Sequence, residues 1–381
     1  MFKEIIQFIK SQFPNQDFIS LHEPRFVGNE KKYLNDCIDS TFVSSVGEYV
    51  TKFESMMCQL TGAKYTIACV NGTNALHMAL IVAKVNPKDE VITQALSFIA
   101  TANAISYSGA TPVFIDVDKD TLGMSPKALA NFLEQHAEIK SDGYAHNKTT
   151  GKRITACVPM HTFGFPCIID EIATICKKWN ITLVEDAAES IGSYYDNKHT
   201  GTFGKIGVFS FNGNKTITCG GGGAIITNDE AIAKKAKYLT TQAKVPHKWK
   251  FYHDEIGYNY RMPNINAALA CAQLEQLDTF IENKRELAAI YDHFFKQTNI
   301  HFITEPVNSK ANYWLNTILL KNVDERNKFL EISNNNGVMT RPAWELMVNL
   351  PMFATCQSDD LTNSKWLADR IVNIPSSVRI K

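Results

Sequence analysis

The feature that most constrains the fold is the alternation of short apolar runs with helix-forming segments over the first 230 residues. Seven runs have the composition of buried strands: KYTIACV (64–70), EVIT (90–93), TPVFIDVD (111–118), ITACVPMH (154–161), ITLVEDAAES (181–190), GVFSF (207–211) and AIITN (224–228). Strands that alternate with helices form parallel βαβ units, so this part of the chain is predicted to be an α/β domain. Ligands of such sheets bind at the carboxyl ends of the strands.

The pattern changes after about residue 240. Residues 264–297 form one long amphipathic helical pattern, and shorter strand and helix patterns follow it. A chain of 381 residues is long enough for two domains. We therefore predict a large α/β domain with N-terminal helices (1–250) and a small α+β domain that begins with a long helix (251–381).

Composition argues against several classes of protein, including nucleic-acid-binding and membrane-spanning proteins. Lys+Arg and Asp+Glu both number 39, so no net charge favours nucleic acid or an anionic membrane as a partner. No segment approaches the roughly 20 apolar residues of a membrane span, and the amphipathic N-terminus lacks a signal-peptide core. The nine cysteines form no CxxC pair, which is typical of reduced thiols in the cytoplasm. We expect a cytoplasmic protein without a metal site.

One lysine stands out in the stretch FSFNGNKTITCGGGG (209–223). Lys215 lies in a polar turn between a short strand and a run of four glycines. Burial in such a turn favours the neutral amine, which is the nucleophile that forms a Schiff base with an aldehyde cofactor. A surface lysine beside a flexible loop is the alternative on this stretch alone. A phosphate-binding P-loop is excluded because Asn214, not glycine, precedes the lysine.

Two further features extend this chemistry. Asp186 ends a strand, where a carboxylate can pair with a protonated ring nitrogen, although a solvated acid or helix cap would look the same. The turn at Gly72 and Thr73 opens a helix whose amides can bind a phosphate, although an ordinary strand–helix connection is equally compatible. A phosphate turn, an acid and a lysine, in that order on one sheet, together fit pyridoxal 5′-phosphate (PLP).

At this point the chain resembles a known family, the DegT/StrS-type nucleotide-sugar aminotransferases with the aspartate-aminotransferase-like PLP fold. The resemblance runs from about Pro24 to the end, and its strongest motifs are VEDAAES (184–190), SFNGNKTITCGGGG (210–223) and GYNYRM (257–262). It implies a PLP-dependent transferase fold with a large, mainly parallel α/β/α sheet domain and a smaller C-terminal α+β domain. It also implies that Lys215 is the Schiff-base lysine, whereas members with histidine at this position are sugar dehydratases.

The resemblance implies roles for further residues. Gly72, Thr73 and Ser210 would hold the cofactor phosphate, and Asp186 would pair with the ring nitrogen. Phe98 would stack on the pyridine ring, although plain core packing is the alternative. Glu189 would lie near the ring hydroxyl, where many members have Gln. Asn259 would reach the phosphate of the neighbouring subunit, which implies a homodimer with composite sites. His161 would lie near the cofactor or orient the substrate, with a core histidine as an equal alternative.

The substrate expectation rests on a subgroup of the family. The segments LHEPRFVGNEKKYL (21–34), STFVSSVGEYV (40–50) and TRPAW…LPMF (340–353) are most similar to LegC-like UDP-4-keto-6-deoxy-N-acetylglucosamine 4-aminotransferases of bacillosamine or legionaminic-type pathways. Arg341 and Trp344 would then meet the nucleotide or sugar. The implied reaction moves the amino group of glutamate to C4 of a nucleotide-linked 4-keto sugar. A PLP-dependent sugar dehydratase and a catalytically idle PLP or nucleotide-sugar sensor are the alternatives.

Overall fold

A computed structural model describes residues 2–379. The helices are α1 (Phe2–Gln12), α2 (Glu30–Asp39), α3 (Glu48–Thr61), α4 (Gly72–Val82), α5 (Ile99–Tyr107), α6 (Pro126–His136), α7 (Ile169–Lys178), α8 (Glu230–Thr240), α9 (Asn264–Leu274), α10 (Leu277–Phe295), α11 (Val323–Asn335) and α12 (Thr362–Ala368). The strands are β1 (Tyr65–Cys69), β2 (Glu90–Gln94), β3 (Thr111–Ile115), β4 (Ala137–Ile139), β5 (Ala145–Asn147), β6 (Ile154–Val158), β7 (Thr182–Asp186), β8 (Tyr194–Tyr195), β9 (Lys198–His199), β10 (Ile206–Ser210), β11 (Gly223–Thr227), β12 (His301–Phe302), β13 (Ser309–Lys310), β14 (Asn316–Leu319), β15 (Arg341–Pro342) and β16 (Ile371–Ile374).

The seven predicted apolar runs all become strands of one sheet, in the order β1-β11-β10-β7-β6-β2-β3. Strands β3, β2, β6, β7 and β10 pair in parallel, whereas β11 runs antiparallel to both of its neighbours. The sheet is therefore mainly parallel, as predicted. Its strands are buried almost throughout, because helices cover both faces of such a sheet.

A second, antiparallel sheet forms from the C-terminal segment, in the order β12-β14-β16-β15. Helix α1 belongs to the core of this sheet: Ile5, Ile6 and Ile9 join one apolar cluster with Ile318 and Phe329. The first helix of the chain thus packs with its last elements. The division of the chain at residue 250 stays a prediction.

The predicted long helix is interrupted. Two helices, α9 and α10, replace it, with Glu275 and Gln276 between them. Helix α9 packs on α2 and α3, whereas α10 packs on strand β12 of the second sheet. The carboxylate of Glu275 also accepts hydrogen bonds from Asn29 and Tyr33. The break lets the two helices pack on different parts of the molecule.

Strands β1, β7 and β10 run in the same direction, because β11 is antiparallel to both β1 and β10 and β7 is parallel to β10. Their carboxyl ends therefore lie at one edge of the sheet. Helix α4 starts after β1, the segment with Glu189 follows β7, and the turn with Lys215 follows β10. This edge is where the candidate site lies. Across residues 2–379, no helix is long and apolar enough to cross a bilayer.

Candidate active site

A cavity of about 350 Å³ lies at the carboxyl ends of β1, β7 and β10. Of the eleven predicted site residues, eight line it: Gly72, Thr73, Phe98, Asp186, Glu189, Ser210, Lys215 and Trp344. His161, Asn259 and Arg341 are not on its wall. A wider groove of about 950 Å³ along α10 contains none of the eleven residues.

Asp186 is the last residue of β7 and is 2% exposed. Its Oδ2 accepts a hydrogen bond of 2.7 Å from the Thr101 hydroxyl, and its Oδ1 accepts one of 3.1 Å from the amide of Ala188. Burial raises the pKa of the Asp186 carboxyl, while the Thr101 hydroxyl, the Ala188 amide and nearby Lys215 oppose that rise. A charged carboxylate at this depth therefore depends on its hydrogen bonds.

Lys215 and Glu189 form a buried pair. Lys215 Nζ donates to Glu189 Oε1 at 3.1 Å, and Glu189 Oε2 accepts a hydrogen bond of 2.9 Å from the amide of Phe163. Burial raises the pKa of Glu189 to about 7, even though Lys215 and the Phe163 amide favour the ionised form. The carboxyl group beside the lysine can thus hold or release a proton near neutral pH.

Trp314, which the sequence analysis did not select, holds the lysine in place. Its ring centre lies 4.2 Å from Lys215 Nζ, and its indole N–H donates to the carbonyl of Asn214 at 2.7 Å. Asn312 fixes this segment in turn, because its side chain bonds the amide of Trp314 and the carbonyl of Glu189. The C-terminal part of the chain therefore completes the wall of the cavity.

The start of helix α4 forms a cradle beside the cavity. Asn71 caps the helix, since its Oδ1 accepts from the amide of Asn74 at 2.8 Å. The amides of Gly72 and Thr73 are the first two of the helix and have no partner within it, and the helix dipole favours an anion at this end. A Cβ atom at Gly72 would lie 2.8 Å from the Cβ of Ser210. Only glycine fits at this close approach.

Of the remaining predicted residues, His161 and Asn259 lie off the cavity wall, whereas Phe98 is part of it. His161 is fully buried behind Asp186: its Nδ1 accepts from the amide of Cys167, and its Nε2 donates to Glu185, both at 3.1 Å. Asn259 is exposed on the chain that follows α8. Phe98 is 45% exposed, and its ring packs edge-on against Trp344 at 6.0 Å.

A second cavity of about 440 Å³ adjoins the first, because Asn214, Trp314 and Trp344 line both. Arg341 lies on the wall of this second cavity. Its guanidinium group donates to Asn334 Oδ1 at 3.0 Å and to the carbonyl of Thr340 at 2.9 Å. The two cavities therefore share part of their walls beside Lys215.

The sequence profile of the DegT/DnrJ/EryC1/StrS aminotransferase family matches residues 24–381. The chain belongs to this family. It is 39% identical over 341 residues to a GDP-perosamine synthase of Escherichia coli O157:H7, with 88% of this chain and 87% of that protein covered. It is 36% identical over 336 residues to a putative pyridoxal phosphate-dependent aminotransferase, EpsN, of Bacillus subtilis (strain 168), with 88% and 84% covered. Its fold is similar to that of the aminotransferase TlmJ from Streptoalloteichus hindustanus (TM-score 0.85, 24% identity, 94% of this chain and 93% of that chain covered).

The protein is a sugar aminotransferase of this family, whose members use PLP. The cavity fits this cofactor in its chemistry. The cradle at Gly72 and Thr73 suits a phosphate, the buried Asp186 suits a protonated ring nitrogen, and Lys215 supplies an amine. When bound, PLP provides an electron sink for charge at the reacting carbon. The role of each individual residue stays a prediction.

Proposed function

We propose that the protein transfers the amino group of glutamate to C4 of a nucleotide-linked 4-keto-6-deoxy-N-acetylhexosamine. The observation that carries this proposal is the meeting of Lys215, Asp186 and the start of α4 in one cavity. The adjoining second cavity supports it, because a sugar nucleotide needs room beyond the reacting carbon. The product is a 4-amino-4,6-dideoxy sugar on its nucleotide.

Each side chain of the site has a separate role in the proposed reaction. Lys215 Nζ takes the α-proton from glutamate and later delivers a proton to C4 of the sugar, so one amine serves both halves of the reaction. Glu189 holds that amine at 3.1 Å, and the ring of Trp314 excludes water from one side of it. Asp186 stabilises positive charge on the cofactor ring.

Two sugar nucleotides are candidates for the substrate. The segments at 21–34, 40–50 and 340–353 favour the UDP-linked N-acetylated sugar of bacillosamine or legionaminic-type pathways. The 39% identical relative is named a GDP-perosamine synthase, which favours a GDP-linked sugar. We propose the UDP-linked sugar as the substrate and the GDP-linked sugar as the second candidate.

The experiment starts from protein that glutamate has converted to the pyridoxamine form. UDP- and GDP-linked 4-keto-6-deoxy sugars, with and without the N-acetyl group, are added separately, and return of the PLP form and the mass of the sugar product are measured. A 4-amino product from the UDP-linked N-acetylated sugar supports the proposal, whereas one from the GDP-linked sugar alone replaces the substrate. Loss of water from the sugar would indicate a dehydratase, and no reaction with glutamate or any sugar would indicate a sensor.

We further propose a homodimer with composite active sites. Asn259 lies off the wall of its own cavity, and the preceding segment exposes large apolar side chains: Trp249 is 74%, Phe251 84% and Ile256 83% exposed. A second copy of the chain would cover these side chains and receive Asn259 at its cofactor phosphate. Mixing the variants Lys215→Ala and Asn259→Ala tests this, because a mixed dimer regains one intact site. Mixtures no more active than the separate variants would contradict composite sites.

We also propose that the enzyme works in the cytoplasm. All nine cysteines are free thiols, seven of them buried, which suits a reducing compartment. Fractionation of cells that produce the native protein tests this directly. Recovery with the periplasm or the membranes would contradict it.

A further inference from the structure

His22 is held rigidly on the wall of the second cavity. The carbonyl of Leu21 accepts a hydrogen bond of 2.7 Å from the amide of Ser376, and the amide of Glu23 donates to the Ser377 hydroxyl at 3.0 Å. The backbone is therefore fixed on both sides of His22. His22 lines this cavity together with Trp314 and Asn214.

Both ring nitrogens of His22 are shielded from solvent and have no hydrogen-bonding partner among residues 2–379. A buried polar atom without a partner costs free energy, so such an atom calls for a functional explanation. Rotation about the Cβ–Cγ bond has broad freedom in histidine, so the ring can adjust its nitrogens to a group bound in the cavity.

The surroundings keep this imidazole neutral. Burial lowers the pKa of His22 well below 6.5, and the positive charges of Lys284, Lys215 and Arg25 lower it further. Lys284 is itself fully buried and donates to the carbonyls of Trp314 and Ser376. A neutral imidazole has one N–H donor and one acceptor nitrogen. It is thus suited to a neutral partner that can both accept and donate.

The rest of the second cavity suits a sugar ring. Phe163, Trp314 and Trp344 supply aromatic walls, with the rings of Phe163 and Trp344 centred 4.9 Å apart. Such walls pack against the C–H faces of a hexose, while few polar groups fix its orientation. The cavity shares three wall residues with the one that contains Lys215, so it lies where the part of a sugar nucleotide beyond C4 could be received.

We propose that His22 is a specificity-determining residue, whose ring hydrogen-bonds a hydroxyl or acylamino substituent of the sugar. This inference rests on the proposed function and names a residue that recognises the sugar. Sites that hydrogen-bond a substrate group discriminate strongly against analogues that lack it, because their own polar atoms are then left unpaired.

The test compares His22→Phe and His22→Asn with His293→Phe, a control at an exposed histidine on α10. We expect His22→Phe to lower kcat/KM for the sugar half-reaction about ten-fold, because one hydrogen bond is lost. We expect His22→Asn, which keeps a donor and an acceptor, to retain more of the activity. The glutamate half-reaction should be unchanged in all three variants.

Thermal stability supplies the readout that separates binding from packing. Phenylalanine fills a similar volume without unpaired polar atoms, so we expect the Tm of His22→Phe to equal or exceed that of the wild type. Comparing a sugar that carries an acetamido group at C2 with its 2-deoxy analogue identifies the substituent, since the ten-fold loss in His22→Phe should disappear with the 2-deoxy sugar if the ring bonds the group at C2. An equal loss with both sugars places the contact at another substituent, which still supports the inference.

Three results overturn the inference. They are an unchanged sugar half-reaction in His22→Phe, an equal loss in both half-reactions, and a fall in Tm that accounts for the lost activity. Failure of the proposed function is distinguishable from these, because the wild type itself would then fail to aminate any 4-keto sugar nucleotide. In that case the role of His22 falls with it.

Discussion

Lys215 Nζ lies 3.1 Å from Glu189 Oε1, and both residues are buried: 9% of the surface of Lys215 and 2% of that of Glu189 is exposed to solvent. A buried ion pair of this kind contributes little net stability, because desolvation of both charges offsets their attraction. The pair instead positions the lysine, since the carboxylate holds the amine on the cavity side of the turn. The pair also places a carboxyl with a pKa of about 7 next to the group that moves protons.

The first prediction concerns the lysine. We expect Lys215→Ala to lower kcat for amino transfer by at least about 10²–10⁴-fold, the usual contribution of a positioned acid–base group. The measurement is formation of 2-oxoglutarate from glutamate. Lys205→Ala is the matched control, because Lys205 is an exposed lysine that pairs only loosely with Asp229. Substantial activity in Lys215→Ala would remove this residue from the reaction.

The second prediction concerns pH and stability in the cofactor-free protein. The pKa of Glu189 is raised from 4.5 to about 7, so the folded state binds more protons than the unfolded state between these values. Stability from this group is therefore fully present below about pH 4.5 and is lost as pH rises through about 7, by roughly 3 kcal/mol in total.

Glu189→Gln isolates this effect because glutamine does not titrate. We expect the free energy of unfolding of the wild type, relative to Glu189→Gln, to fall as pH rises from 5 to 8. Urea denaturation at several pH values measures it. A difference that is constant with pH would show that Glu189 has an ordinary pKa.

The third prediction concerns Thr101, whose hydroxyl donates to Asp186 at 2.7 Å. Removing it leaves a buried carboxylate with one partner fewer and raises the pKa of Asp186 further. We expect Thr101→Val to weaken PLP binding about ten-fold, in line with a hydrogen bond to a charged group. Titration of the cofactor-free protein with PLP gives the Kd. Thr174→Val, on the exposed face of α7, should leave the Kd unchanged.

The large sheet could be predicted from the sequence because each of its strands is a continuous apolar run. Such a run can be recognised from its own composition, without knowing which strand it pairs with. The direction of β11 could not be read in this way, since a buried strand has the same composition in either orientation. The sequence also gave no sign of the break at Glu275, because the apolar spacing continues through it.

At the site, the sequence located the groups that lie on motifs but missed those brought in by distant packing. Trp314 bonds the carbonyl of Asn214 from 100 residues away, and within its own strand pattern it looks like any core aromatic residue. Thr101 sits in a helix of small residues, where a single hydroxyl gives no signal of its partner. His22 lies in the segment at 21–34, whose resemblance pointed to a subgroup but not to a contact.

The last prediction concerns the cradle at the start of α4. A Cβ atom at Gly72 would meet the Cβ of Ser210 at 2.8 Å, so Gly72→Ala must displace the helix start or the end of β10. We expect PLP binding to weaken by at least about ten-fold, since the phosphate-binding amides move with the helix. Gly213→Ala is a stringent control, because a Cβ there meets nothing within 4 Å in the same lysine turn.

A double-variant cycle identifies the cause of that loss. If the clash with Ser210 is responsible, Gly72→Ala should weaken PLP binding less in a Ser210→Gly background than in the wild type, because the two positions are coupled through direct contact. Additive effects of the two substitutions would show that the methyl group acts elsewhere. Equal PLP affinity in Gly72→Ala and the wild type would place the phosphate away from α4 altogether.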